Sequence, residues 1–118
     1  MAVVAFTVTP VLPYKELSHI ISWTPLANSD SGTPIEMPGS HIRSVQFTGT
    51  FGAGGTIVME GSNDGTNYFT LTDPQGNNIS KTAAALEGIE VLTRFIRPRV
   101  TAGDGTTSLT ATLLLKRL

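Results

Sequence analysis

The sequence predicts an all-β fold: a single antiparallel sandwich domain of about eight strands, of the jelly-roll or immunoglobulin-like kind. Three observations predict it. Short runs rich in β-branched and aromatic residues recur along the 118 residues, each bounded by Gly, Pro, Asn or Asp. Several of them alternate apolar with polar positions, the period of a strand with one buried face. Helical periodicity is nearly absent, and its one candidate, Ala83 to Leu86, is too short to stand alone.

In chain order the first strand is Val3 to Thr9. It opens an extended N-terminal arm, residues 1–15, that runs on through "PVLPYK", where Pro10 and Pro13 favour polyproline or edge geometry. Such an arm lies across a neighbouring subunit or folds back on its own domain. Leu17 to Trp23 is the second strand. Residues 24–40, "TPLANSDSGTPIEMPGS", hold three prolines among small polar residues and exceed the usual connection length, so they are either a working loop or disordered, and a loop that orders against a neighbour is the favoured reading. His41 to Thr48 and Thr56 to Ser62 follow as strands, with "TGTFGAGGT" between them read as an exposed hairpin tip. Its glycines resemble a phosphate-binding loop, but the lysine and the following helix are missing.

"GSNDGTNYFTL" then poses a question, whether Asn-Asp-Gly holds a ligand or turns the chain. Ile57 and Met59 before it and Phe69 and Leu71 after it give both arms a buried face, so Asp64-Gly65 reads as a hairpin turn into the strand Asn67 to Thr72. A calcium site would need more acidic ligands at regular spacing than the run supplies. Ile89 to Leu92 and Phe95 to Val100 are the next strands, and Pro98 places the second at an edge or a bulge. "AGDGTTS", with Asp104-Gly105, reads as a second hairpin turn. The last strand, Ser108 to Lys116, is the clearest: Leu109, Ala111, Leu113 and Leu115 share one face, opposite Thr110, Thr112 and Lys116. From the alternation the core comprises Phe6, Ile20, Val45, Phe47, Ile57, Met59, Phe69, Leu71, Ile96, Val100, Leu109, Leu113 and Leu115.

Composition narrows the function. With no cysteine, disulfides and thiolate metal sites are excluded. A formal charge of -1 gives no field that draws the chain to nucleic acid, and charged residues make up only 14%. Short neutral side chains suit packing against other proteins, although ordinary β-protein composition would look the same. The start, MAVVAFTVTPV, lacks the pattern of a signal peptide, and no apolar run approaches the ~20 residues of a membrane span, so a soluble protein without membrane partner is expected. His19 and His41, with Ser18 and Ser44 nearby in sequence, form no recognisable catalytic pattern, and no paired carboxylates stand out. In "RFIRPRV", Arg97 and Arg99 share a strand face and suit ion pairs with acidic residues of a neighbouring subunit better than nucleic acid.

Together, "EGSNDGTNYFTLTD" and "FIRPRVTAGDGTTSLTATLLLKR" resemble the small all-β virion proteins of tailed bacteriophages, in which an S-N-D-G turn and an aromatic strand precede an "IRP" strand and a G-D-G hairpin. The resemblance covers Thr56 to Arg117. It implies a non-enzymatic capsid decoration, or cement, protein on the capsid surface of the virion, assembled in the host cytoplasm. Its expected partners are the major capsid protein and copies of itself, as a homo-oligomer with a trimer among the options, and no cofactor. The expected interface residues are Pro10, Pro13, Tyr14, Pro25, Pro34, Arg97 and Arg99. The alternatives are a neck or tail component, or a carbohydrate- or host-receptor-binding module, since the same hairpin recurs in discoidin-like domains. A sugar platform wants exposed Trp or Tyr, and the chain offers Trp23, Tyr14 and Tyr68.

Overall fold

The computed structural model describes residues 1–11, 18–36 and 42–116. Among these, twelve strands form two sheets: β1 Val3–Val4, β2 Phe6–Pro10, β3 Ser18–Leu26, β4 Ser31–Gly32, β5 Ile35–Glu36, β6 Ile42–Thr50, β7 Thr56–Ser62, β8 Phe69–Thr70, β9 Ser80–Lys81, β10 Ala85–Gly88, β11 Phe95–Ala102 and β12 Ser108–Lys116. One sheet runs β10-β6-β12-β3-β2. The other runs β1-β4-β11-β7-β8, with β5 also pairing β11 and β9 also pairing β7. The sheets face each other as a sandwich. Pairing is antiparallel except between β1 and β4, which is parallel.

The long strands form where alternation is cleanest. On β6, β7, β11 and β12 the inward residues are Val45, Phe47, Ile57, Met59, Ile96, Val100, Leu109, Leu113 and Leu115, all buried. Each removes a side chain worth roughly 1.5–3 kcal/mol of transfer free energy from water. Leu71 joins them, and Phe6 is half-buried against Trp23, their rings edge to face at 6.0 Å.

Two expected core positions lie elsewhere. On β3 it is Ile21 and Trp23 that face inward and are buried, while Ile20 points outward and is partly exposed. Adjacent isoleucines in "HIISW" satisfy either register, and the fully buried Trp23 decides between them. Its indole N–H donates to the Thr33 carbonyl at 2.9 Å, and the ring lies so close to Gly32 that a Cβ there would come within 2.6 Å of it. Phe69 is 72% exposed. It pairs with Gly61 in the row of the buried Ile96, but β8 is a two-residue strand at the edge of its sheet, so alternation gives the right row while the side chain stands at the margin of the core.

Other segments also differ from expectation. The segment 24–36 is folded: β3 continues through Pro25 to Leu26, and β4 and β5 both pair with β11. Met59 directs both its N–H and C=O away from β11, towards Ile79 and Leu71, so Pro98 opposite it turns its nitrogen to the other side. There β11 is unpaired between the Ile96–Ile35 and Arg99–Ser31 contacts, and a proline fits in the interior of a sheet. Ile89 to Leu92 is not a strand, and the neighbouring Ala85–Gly88 is one, at the edge of the five-stranded sheet. Finally, 48–56 and 102–108 are not hairpin turns. Each carries the chain from one sheet to the other, because β6 and β12 lie in the five-stranded sheet and β7 and β11 in the other.

Candidate attachment surface

Most of the charge among the described residues is used internally, Glu90 and Lys116 being the exposed exceptions. All four aspartates bind backbone amides: Asp30 those of Ala2 and Ala27, Asp64 those of Thr66 and Asn67, Asp73 those of Gln75 and Asn77, Asp104 those of Ala53 and Thr106. Hydrogen bonds from Asn67 and Thr66 hold the Asp64 carboxyl well below the usual carboxylate range. Asp104 is held at about 2, first by the Thr106 hydroxyl and then by the Ala53 amide. Both turns are thus stapled by a permanent anion. Among the described glutamates, Glu36 pairs with Arg94, Glu87 with Lys81 at 3.1 Å, and Glu60 with both Arg97 at 2.8 Å and Arg99 at 3.2 Å. The acid expected on a neighbouring subunit is therefore Glu60 of the same chain. Glu60 is 3% exposed, and the Arg97 guanidinium also lies 3.8 Å over the Tyr68 ring.

Arg43 is buried although its charge argues for the surface. It follows the inward parity of Val45 and Phe47, and it is buried at the end of the core, donating to the Val91 carbonyl at 2.6 Å. Burial lowers its pKa while Glu90 opposes that shift. The signal was present in "IRSVQF", where an arginine occupies the apolar phase.

With charge consumed this way, the outer face of the five-stranded sheet is neutral. Pairing aligns Leu86, Gln46, Thr112, Ser22 and Thr7 in one row across all five strands, and Gly88, Ser44, Leu114, Ile20 and Thr9 in the next. None of these residues is charged. Leu86 is 64% and Leu114 38% exposed, and Thr24 and Thr110 join their hydroxyls at 2.7 Å beside them. Lys116, one row further on, is the sole described charge directed to this face. A flat surface of short side chains with scattered aliphatics has little desolvation cost and no charge to leave unpaired.

The expected interface residues are dispersed. Pro10 is exposed at the end of β2, Pro25 is exposed on β3, Pro34 is half-buried between β4 and β5, and Arg97 and Arg99 lie on the outer side of the other sheet. Pro13, Tyr14 and His41 lie outside the described residues. His19 is half-buried at one end of β3, Ser18 is buried there, and Ser44 is on the outer face of β6, so no nucleophile–base pair results. No three His, Asp or Glu side chains gather as a metal site among the described residues. Beside the Asp64 turn a cavity of about 510 Å³ opens between Asn63, Asn67, Phe69, Leu71, Val91 and Thr93. Trp23 is buried and Tyr68 lies under Arg97, so neither offers a free ring.

No family model matches the chain, and no curated protein matches it in sequence. Its fold is similar to that of the SPBc2 prophage-derived protein YomS, with a TM-score of 0.63 at 11% identity over 84% of this chain and 94% of that one. Weaker likenesses are to Peruvianin-I, a cysteine peptidase from Thevetia peruviana latex (TM-score 0.49, 16% identity, 95% of this chain and 61% of that one), and to a carbohydrate-binding module of Cellvibrio mixtus lichenase 5A in complex with cellotriose (TM-score 0.33, 11% identity, 96% and 85%). At those scores neither bears on the fold or the function.

Proposed function

We propose that the chain is a structural protein of a tailed bacteriophage particle, one that decorates the outer capsid surface and bridges major capsid subunits without performing chemistry. The observation that carries this reading is the neutral outer face of β10-β6-β12-β3-β2, two complete rows of uncharged side chains on a sheet whose acids are all engaged elsewhere. Such a face recognises its partner by shape. The fold likeness to a prophage-derived protein and the phage-like "SNDG", "IRP" and "GDG" pattern support the same class. Laid across a subunit boundary, a pre-folded sandwich adds buried area that the thin shell lacks, and binding only the assembled lattice stabilises it by mass action.

Decorated and bare particles should therefore release DNA on heating at different temperatures, the decorated ones later. Leu114→Glu and Thr112→Glu should each abolish decoration while the isolated protein melts as before, and decoration by the wild type should change little with salt. Equal release temperatures, or wild-type occupancy by both variants, would remove the attachment reading. A receptor- or carbohydrate-binding reading has one observation in its favour, the cavity with exposed Phe69 at its rim. A glycan-array signal lost in Phe69→Ser would promote it, and equal release with no glycan signal would point to a neck or tail position.

A further inference from the structure

The sandwich has sheet edges of very different character. β1, β8 and β9 are two residues long, and β10 is four residues long with Glu87 bound to Lys81. Short length and charge are the usual guards against edge-to-edge pairing. β2 has neither: its five residues, Phe6–Pro10, carry no charge, pair among the described residues on one side only, with β3, and from Thr7 onward are exposed.

The free backbone groups of β2 can be assigned. Val11 donates its N–H to the Ser18 carbonyl at 3.1 Å, and Pro10 stands opposite His19. In an antiparallel ladder hydrogen-bonded and non-bonded pairs alternate, so Thr9–Ile20 and Thr7–Ser22 are bonded pairs. Phe6, Val8 and Pro10 therefore direct their backbone groups to the free edge, and Pro10 brings a carbonyl but no N–H. The proline sits where a missing donor costs the fold nothing.

We infer that β2 pairs antiparallel with β2 of a second copy of this chain, about a two-fold axis at Val8. In that register Val8 meets Val8, Thr7 meets Thr9, and Phe6 meets Pro10. The Val8 residues exchange both bonds, and each Phe6 N–H reaches the Pro10 carbonyl of the second copy. Every outward N–H finds an acceptor, and the one acceptor left over, the Phe6 carbonyl, faces the position where proline has no N–H. Like charges opposite each other would penalise an isologous edge, and β2 has none. Val8, 52% exposed, gains cover, and the threonines form cross-strand pairs. The pairing continues the neutral outer face from one copy into the next. Five residues a side cover less than the ~800 Å² per partner of a stable complex, so the association is reversible and rises with concentration. It does not rest on the capsid reading, since it is measured on the isolated protein.

Sedimentation equilibrium of the full chain from micromolar to millimolar concentration should show a reversible monomer–dimer equilibrium. Val8→Pro deletes an outward N–H without touching the β2–β3 ladder, and Val8→Lys sets like charges on the axis. Each should weaken association roughly tenfold or more, the worth of one or two hydrogen bonds, with an unchanged unfolding midpoint. In this cysteine-free chain a mixture of Thr7→Cys and Thr9→Cys variants should cross-link on oxidation, because Thr7 and Thr9 face each other as a non-bonded pair, whose ~4.5 Å Cα separation and closer side chains suit a disulfide. A monomer throughout the range, a dimer of unaltered strength in both Val8→Pro and Val8→Lys, or a dimer in which the mixed Thr7→Cys and Thr9→Cys variants fail to cross-link would overturn the proposal.

Discussion

The two Asp-Gly loops look alike in sequence and do different work. In both, the aspartate Oδ1 accepts the amide two residues on, from Thr66 to Asp64 and from Thr106 to Asp104, each at 2.8 Å. The loops part at the second oxygen. Asp64 Oδ2 accepts the Asn67 side-chain amide inside its own loop, whereas Asp104 Oδ2 accepts the Ala53 N–H from the other crossing between the sheets. Thr107 adds a bond to the Phe51 carbonyl at 2.7 Å. One aspartate therefore bonds only within its own turn between β7 and β8, whose single described polar tie outward is Asn63 accepting the Arg94 N–H at 3.0 Å, and the other ties the two crossings together at one end of the sandwich. A local staple holds residues that are already neighbours. A staple across 51 residues restrains chain ends that would otherwise be far apart, so its loss is felt by both sheets.

The largest expected effect follows from this difference. Gly52 has φ +73, and a Cβ on it would lie 2.3 Å from Asp104 Oδ1. Gly52→Ala meets left-handed strain of about 1–2 kcal/mol and in addition expels the carboxylate from its bonds, so its loss exceeds that of strain alone. Urea unfolding should show the loss, and amide exchange at Ala53 should quicken. Next comes Gly65→Val. Gly65 has φ +77 and its Cβ would lie 3.2 Å from the Phe95 ring, so about 1–2 kcal/mol is expected, with the Ala53 amide undisturbed. A disturbed Ala53 in this variant would show that the hairpin is not autonomous.

Removing the staples themselves ranks third. Asp104→Ala should lower the melting temperature more than Asp64→Ala, because only the former releases the second crossing. Equal shifts in a paired thermal scan would mean that the bond to Ala53 contributes nothing beyond the local turn.

The same contrast separates what is legible in the sequence from what is not. The first-oxygen pattern was legible, since Asp followed by Gly and Thr is local chemistry. The second oxygen was not, because nothing in "AGDGTTS" names Ala53. Likewise the faces of β6, β7, β11 and β12 follow from alternation, while β3 was ambiguous between Ile20 and Ile21 until Trp23 was seen buried against Gly32. Pro98 signalled a missing ladder bond correctly, but the gap between β4 and β5 that accommodates it is a property of three segments together. For the proposed attachment surface, the outward threonines of β12 were visible and their neutral neighbours on β6, β3 and β2 were not, since register across strands is set by tertiary pairing. Arg97 and Arg99 were rightly placed on one face, with Glu60 as the partner that spacing alone could not supply.

The fourth effect is one of pH. Asp104 has its pKa lowered from 3.8 to about 2, so folding favours its ionised form. Its stabilisation is complete above the unfolded value and disappears as pH falls through about 2. The melting difference between wild type and Asp104→Ala should accordingly hold from neutral pH to above 4 and then narrow towards 2. Asp64 is held lower still, so the corresponding difference for Asp64→Ala should persist further into acid. A difference for Asp104 that stays constant through that window would show that the carboxylate charge is not what binds the Ala53 amide.

The smallest effect tests whether the second glycine of the "GDG" pattern matters at all. Gly65 is required by its left-handed backbone, and the sequence invites the same inference for Gly105, which follows an aspartate in the same way. Yet Gly105 is not in the left-handed region, and a Cβ built on it meets nothing within 4 Å. Gly105→Ala should therefore be within about 0.5 kcal/mol of wild type, with a small gain available because alanine leaves the unfolded chain fewer conformations to lose. Urea midpoints for Gly105→Ala and Gly65→Ala, measured side by side, separate the two cases: equal destabilisation would mean that both loops turn by the same backbone geometry, and that the difference between hairpin and tie lies in Asp104 alone.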